Sequence, residues 1–192
     1  MKDISEIADR FGGVISTKDL NEAEYKRVLR ATKRGELVRI RHGVYLTPDN
    51  LVNFMTDIEK IVPNGIVCLY SAWSFYALTT MIPPAICVVV AFGRKVVLPD
   101  MPPINLYHWK REYLDFGITE VDYSGFKVKI TDVERSVCDA IRYRNKIGTD
   151  ICTEIFRNYM KRNDRNLSRL MDYAKRLRVS KILNNYLEIT LE

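Results

Sequence analysis

Five cations, Lys26, Arg27, Arg30, Lys33 and Arg34, recur at helical intervals between Asn21 and Gly35. At ~100° per residue they gather on one stripe, nearly opposite a stripe of Tyr25, Val28, Leu29 and Thr32. Guanidinium and ammonium groups only donate hydrogen bonds. Repeated at this pitch they suit phosphate oxygens, and an arginine fork also matches the O6/N7 edge of guanine. The chemistry is recognition of a polyanion. Lys18 precedes the stripe and Arg39, Arg41 and His42 follow it, so that Lys18 to Gly43 holds eight Lys/Arg against four Asp/Glu. Charge alone describes many solvated helix faces; the order of elements around this stripe favours nucleic acid.

Those elements follow from local signals. Asn21 caps a helix, Glu24 completes a capping box three positions on, and Gly35 suits the left-handed stop. Glu36 to Arg41 and Val44 to Leu46 are short apolar-rich runs joined at His42-Gly43, a hairpin that would form a wing. Upstream, Ser16 with Asp19 resembles a second capping box, opening a short helix through Leu20. Asp3 to Phe11 spaces Ile4, Ile7, Ala8 and Phe11 as a first helix, stopped by Gly12-Gly13, and Val14-Ile15 is a short strand able to pair with the wing. The expectation is a winged helix-turn-helix over residues 1–48, with Lys18, Lys26, Arg27, Arg30, Lys33, Arg34, Arg39, Arg41 and His42 on double-stranded DNA. Arg27 and Arg30 would read bases, Lys26, Lys33 and Arg34 would meet phosphates, and Arg39, Arg41 and His42 in the wing would add salt-dependent affinity, with entry into the minor groove open to them.

Thr47-Pro-Asp-Asn50 marks a boundary and caps a helix from Leu51 to Ile61. Residues 49–192 are then a mixed α/β domain with a helical C-terminus, giving an α+β chain. Strands are expected at Ile66 to Leu69, Ile86 to Phe92, Ile104 to Trp109, Ile118 to Val121 and Tyr123 to Ile130, with a buried helix from Ser71 to Leu78. The consecutive Val88, Val89 and Val90 indicate a strand covered on both faces. Arg142 to Lys181 carries twelve Lys/Arg against four Asp/Glu. Here helices at Ile151 to Lys161, Leu167 to Leu177 and Lys181 to Leu187 turn Leu167, Leu170, Met171, Ala174 and Leu177 inward. Arg165, Arg169, Lys175, Arg176 and Arg178 are left as a second basic surface.

A rival chemistry would use Asp132, Glu134 and Asp139 as metal ligands or acid/base groups of a nucleic-acid-processing enzyme. They stand in a cap-like arrangement, Thr131-x-x-Glu134 as a capping box with Arg135 and Asp139 four apart as a surface salt bridge. There is no Walker loop, dinucleotide fingerprint, nucleophile elbow or His–carboxylate cluster. Neither enzyme activity nor a cofactor is expected. Cys68, Cys87, Cys138 and Cys152 are scattered, with only His42 and His108 as histidines, so buried thiols are expected in place of a metal site. The chain has 192 residues and a net charge of +6; no apolar run approaches the ~20 residues of a membrane span, and the N-terminus lacks a signal-peptide core, so cytoplasm is the default.

The run Arg34-Gly-Glu-Leu-Val-Arg-Ile-Arg-His-Gly-Val-Tyr45 resembles the N-terminal domain of AbiEi-type antitoxins. Leu69-Tyr-Ser-Ala72, Leu78, Ile82-Pro-Pro84, Ile130-Thr-Asp-Val-Glu-Arg135 and Cys138-Asp139 resemble that family's second domain. The resemblance implies a bacterial repressor and phage-defence antitoxin of the type IV kind. Its N-terminal domain would bind inverted repeats, and its C-terminal domain would neutralise a nucleotidyltransferase-like toxin. A solitary winged-helix transcription factor with a protein- or effector-binding second domain is the alternative, and a neighbouring toxin gene separates the two.

Overall fold

The computed structural model describes residues 4–52, 58–98, 102–123 and 126–191. It is α+β. Helix α1 (Ile4–Arg10) leads into strand β1 (Val14–Ser16), helix α2 (Glu22–Lys33) and the hairpin of β2 (Val38–Arg41) and β3 (Val44–Leu46). β3 is central in an antiparallel sheet ordered β1-β3-β2, with Val14 opposite Leu46 and a bulge between Arg39 and Arg41. Short helices α3 (Pro48–Val52) and α4 (Ile58–Ile61) follow. A second sheet then comprises β4 (Ile66–Val67), β5 (Ile86–Ala91), β6 (Ile104–Trp109), β7 (Ile118–Tyr123) and β8 (Phe126–Thr131), in the order β6-β5-β4-β8-β7. Helix α5 (Leu69–Phe75) lies between β4 and β5, and α6 (Val133–Ile147), α7 (Thr149–Met160), α8 (Leu167–Arg176) and α9 (Ser180–Leu191) complete the chain.

Period-two alternation assigns each strand face to a core. On β5, Cys87 and Val89 enter a cluster with α5 to α9, whereas Ile86, Val88 and Val90 enter another with Val128 and Ile130. Val14, Ile40, Val44 and Leu46 of the first sheet also join this second cluster. The other face of the first sheet, Ile15 and Tyr45, packs with Ile7 and Ala8 of α1 and Val28 and Ala31 of α2. The first sheet is thus shared between two cores, and the consecutive valines of β5 are buried because helices cover one face and the N-terminal sheet the other.

Several expected elements are displaced. Ser16 caps no box with Asp19: its Oγ accepts from the Lys18 N–H at 3.4 Å and opens a 3-10 turn, Thr17–Asp19. The helix expected from Leu51 begins at Pro48, and residues 53–57 of its span lie outside the described residues. The strand expected to reach Leu69 stops at Val67, because Leu69 takes a positive φ of 48° and starts α5. That helix ends at Phe75, ahead of Ala77 at φ 53°. Tyr123 belongs to β7, while Ser124 and Gly125, expected in one strand with it, lie outside the described residues. Leu167, expected inside, is 42% exposed at the start of α8.

Candidate nucleic-acid interface

Helix α2 is fixed at its first turn. Asn21 Oδ1 accepts from the Glu24 N–H at 2.9 Å, and Glu24 Oε2 accepts from the Asn21 N–H at 3.0 Å, the expected capping box. The same carboxylate meets Arg10 Nη1 at 2.9 Å, which ties α2 to α1. The Arg10 hydrogen bond and the Asn21 backbone N–H together hold the Glu24 carboxyl below its usual range. The buried side of α2 is Val28 and Ala31. Tyr25 and Leu29, expected to pack, are 39% and 37% exposed: the inward stripe is rotated by part of a turn, placing these two beside the cations.

Lys26, Arg27, Arg30, Lys33 and Arg34 are all exposed. Lys26 pairs with Glu22 at 2.7 Å, and Arg34 holds Glu36 through Nε and Nη2 at 2.7 and 3.0 Å. Arg30 and Lys33 carry no ion pair among the described residues. The 3-10 turn is joined to the hairpin by the Thr17 N–H, which donates to Gly43 O at 2.8 Å. Lys18 and His42 consequently line one groove of about 700 Å³ with Lys60, a cation the sequence reading missed; its Nζ donates to Val14 O at 3.3 Å. In the hairpin, Arg39 Nη2 lies 3.0 Å from His42 Nδ1; the guanidinium can only donate, so Nδ1 is the acceptor. The Arg41 side chain lies outside what the structure describes.

The expected second basic surface divides. Arg165 Nη1 donates to Arg162 O at 2.7 Å, Arg169 faces the buried Glu134 at 3.5 Å, and Lys175 faces Asp172 at 3.8 Å. Arg176 stacks on the Phe116 ring, and Arg178 follows the last turn of α8 at φ 58°.

The three carboxylates weighed as catalytic serve three separate structural contacts. Asp132, in place of Thr131, is the N-cap of α6: its Oδ1 accepts from the Arg135 N–H at 2.8 Å and its Oδ2 from the Tyr173 hydroxyl at 3.0 Å. Thr131 is buried at the strand end against Ser136 Oγ at 2.8 Å. Glu134 accepts from the Asn166 N–H and the Tyr159 hydroxyl. The pair expected on the surface is inside: Arg135 and Asp139 are both 0% exposed, with Nε 3.0 Å from Oδ2. Arg135 Nη1 also donates to Tyr113 O and Phe116 O, while its guanidinium stacks on Trp109 and Phe116. Burial, which outweighs the neighbouring guanidinium, pushes the Asp139 carboxyl up to about 6. Among the described residues no group of three His, Cys, Asp or Glu is placed to hold a metal, and no helix is long and apolar enough to cross a membrane. All four cysteines are free and buried, and burial raises the Cys68 and Cys138 thiols.

No curated protein matches this chain. Residues 2–48, which run from before α1 to the first residue of α3, match the model of the family described as transcriptional regulator, AbiEi antitoxin, and it is to this family that the N-terminal part of the chain is similar.

Proposed function

We propose that this protein is a DNA-binding transcriptional repressor acting as the antitoxin of a type IV, AbiE-like pair, without enzymatic activity of its own. In this reading residues 1–48 are a winged helix-turn-helix domain. Helix α2 lies in the major groove, the β2–β3 hairpin is the wing, and the target is an inverted repeat upstream of its own operon. Residues 49–192 form the domain that counteracts a nucleotidyltransferase-like toxin. The observation that carries the reading is the exposed pair Arg30 and Lys33, one turn apart and without ion pairs among the described residues, on a helix clamped by Arg10 and Glu24. The family match over the same segment supports it. Arg27 and Arg30 then read base edges. Lys18, Lys26, Lys33, Arg34, Arg39, Arg41 and His42 meet phosphates, where Lys26 and Arg34 exchange Glu22 and Glu36 for DNA.

The test is binding of the full chain to its own upstream DNA and to scrambled DNA of equal length at two salt concentrations. Preference for the upstream DNA with a steep salt slope is expected. Arg30→Ala should lose ~1–3 kcal/mol at the cognate site and relax base preference there. An Arg30→Ala protein that binds operator as tightly as the parent sinks the assignment of Arg30. Equal, weak binding of the parent to both DNAs would sink the repressor reading itself.

A further inference from the structure

On the far side of the second sheet, two adjoining hollows of about 290 and 510 Å³ share Phe116 and Arg176 in their walls. The smaller, an open hollow, is lined also by Tyr113, Glu112 and Arg178, and the larger continues past Phe116 to Tyr173, Asp172, Asn166 and Arg169. We propose that this cleft binds a phosphate-bearing small molecule of nucleotide size, with its phosphate between Arg176 and Arg178.

Three guanidinium groups stack on two aromatic rings here. Arg135 and Arg176 both stack on Phe116, at 4.5 and 4.8 Å from its centroid, and Arg142 stacks on Tyr113 at 4.2 Å. Against them stand Asp139, bound to Arg135, Glu112 on the wall of the smaller hollow, Asp172 on the wall of the larger, where it faces Lys175, and Glu134, which faces Arg169. Arg176 and Arg178 carry no ion pair among the described residues. Behind the rings, Arg135 Nη2 and Arg142 Nη1 are buried without a hydrogen-bond partner among the described residues. Such a cluster favours an anion, and planar forks favour phosphate.

The backbone at Arg178 points the same way. The Val179 N–H donates to Ala174 O at 2.9 Å and the Arg178 N–H to Lys175 O at 3.1 Å, a Schellman closure whose left-handed position normally holds glycine. This chain places arginine there, at φ 58°, with its side chain on the wall of the hollow. Asn64, Leu69 and Ala77 also take positive φ, so this backbone supports the site only together with the place of Arg178 on its wall. A hollow of this size admits a phosphate ester but not a duplex, which distinguishes it from the proposed DNA face.

The test is calorimetric titration of the full chain with pyrophosphate and with ADP, alongside thermal melting of Arg176→Ala, Arg178→Gly and Arg30→Ala. Saturable binding at one site per chain is expected. Loss of either cleft arginine should weaken it ~10-fold or more, and Arg30→Ala should leave it unchanged. Arg178→Gly should melt at a higher temperature than the parent while binding pyrophosphate more weakly, a combination that damage to the fold does not produce. Absence of saturation, or an Arg178→Gly protein that binds like the parent, overturns the proposal. Displacement of bound pyrophosphate by an unrelated DNA duplex overturns it too, by assigning the cations to nucleic-acid backbone. None of these outcomes depends on whether the chain recognises an operator.

Discussion

At the scale of single residues, the Arg135–Asp139 pair separates pattern from environment. An arginine four positions before an aspartate on a helix reads identically whether water or protein surrounds it. Here Trp109, Phe116 and the Tyr113 carbonyl, from segments 19 to 26 positions upstream of Arg135, seal it from water. No local signal announces that, and the expectation of a surface pair failed for this reason. The buried pair also makes stability depend on pH. Asp139 titrates near 6 in the fold, above its value in the unfolded chain, so folding favours its protonated form. Its contribution to stability is full below about pH 4, declines as pH rises and is lost through about pH 6. Urea midpoints of the parent should therefore rise from pH 7 to 5 relative to an Arg135→Met/Asp139→Leu double variant, which replaces the pair with apolar side chains. Parallel pH profiles for the two proteins would contradict this account.

At the scale of elements, what was legible is what short-range chemistry dictates. Helix α2 begins and ends where Asn21, Glu24 and Gly35 require, and the β2–β3 hairpin turns at His42-Gly43. The cations of α2 were legible as exposed positions, since most of them can be satisfied only by water or an anion. Rotation of α2 about its axis was not, because Tyr25 and Leu29 are as apolar as Val28; which of them is buried depends on where Ile15 and Tyr45 of the sheet lie. Likewise, the strand after Gly65 was overestimated because Leu69 suits a strand in composition but takes a left-handed backbone. The element on which most depends is β3. It is fully buried, central in its sheet, and contributes Tyr45 to one core and Val44 and Leu46 to the other. Leu46→Ala should cost ~2–5 kcal/mol. Tryptophan fluorescence, which reports Trp73 and Trp109 in the core between the second sheet and helices α5 to α9, should lose stability together with helical circular dichroism in one urea transition. Fluorescence unchanged while the dichroism shifts would mean that the core holding Leu46 unfolds separately from the one holding the tryptophans.

At the scale of the whole molecule, the shared first sheet carries α1 and α2 on one face and leans on the β5 and β8 valines and isoleucines with the other. The segment that matches the regulator family is therefore mounted on the rest of the chain through packed side chains as well as through residues 47–52. If two such chains sit on an inverted repeat as proposed, neither can swing its recognition helix about an internal joint to reach a displaced half-site. Spacing between half-sites then becomes part of what is recognised. Inserting about 5 base pairs between them should abolish cooperative binding, and inserting about 10 should restore much of it, since a full turn returns the grooves to the same side. Gel-shift titration across such a series would show this as a periodic rise and fall in affinity, and a flat series would contradict it. Through the sheet that two of its cores hold in common, the protein would measure the helical phase of its operator as well as read its bases.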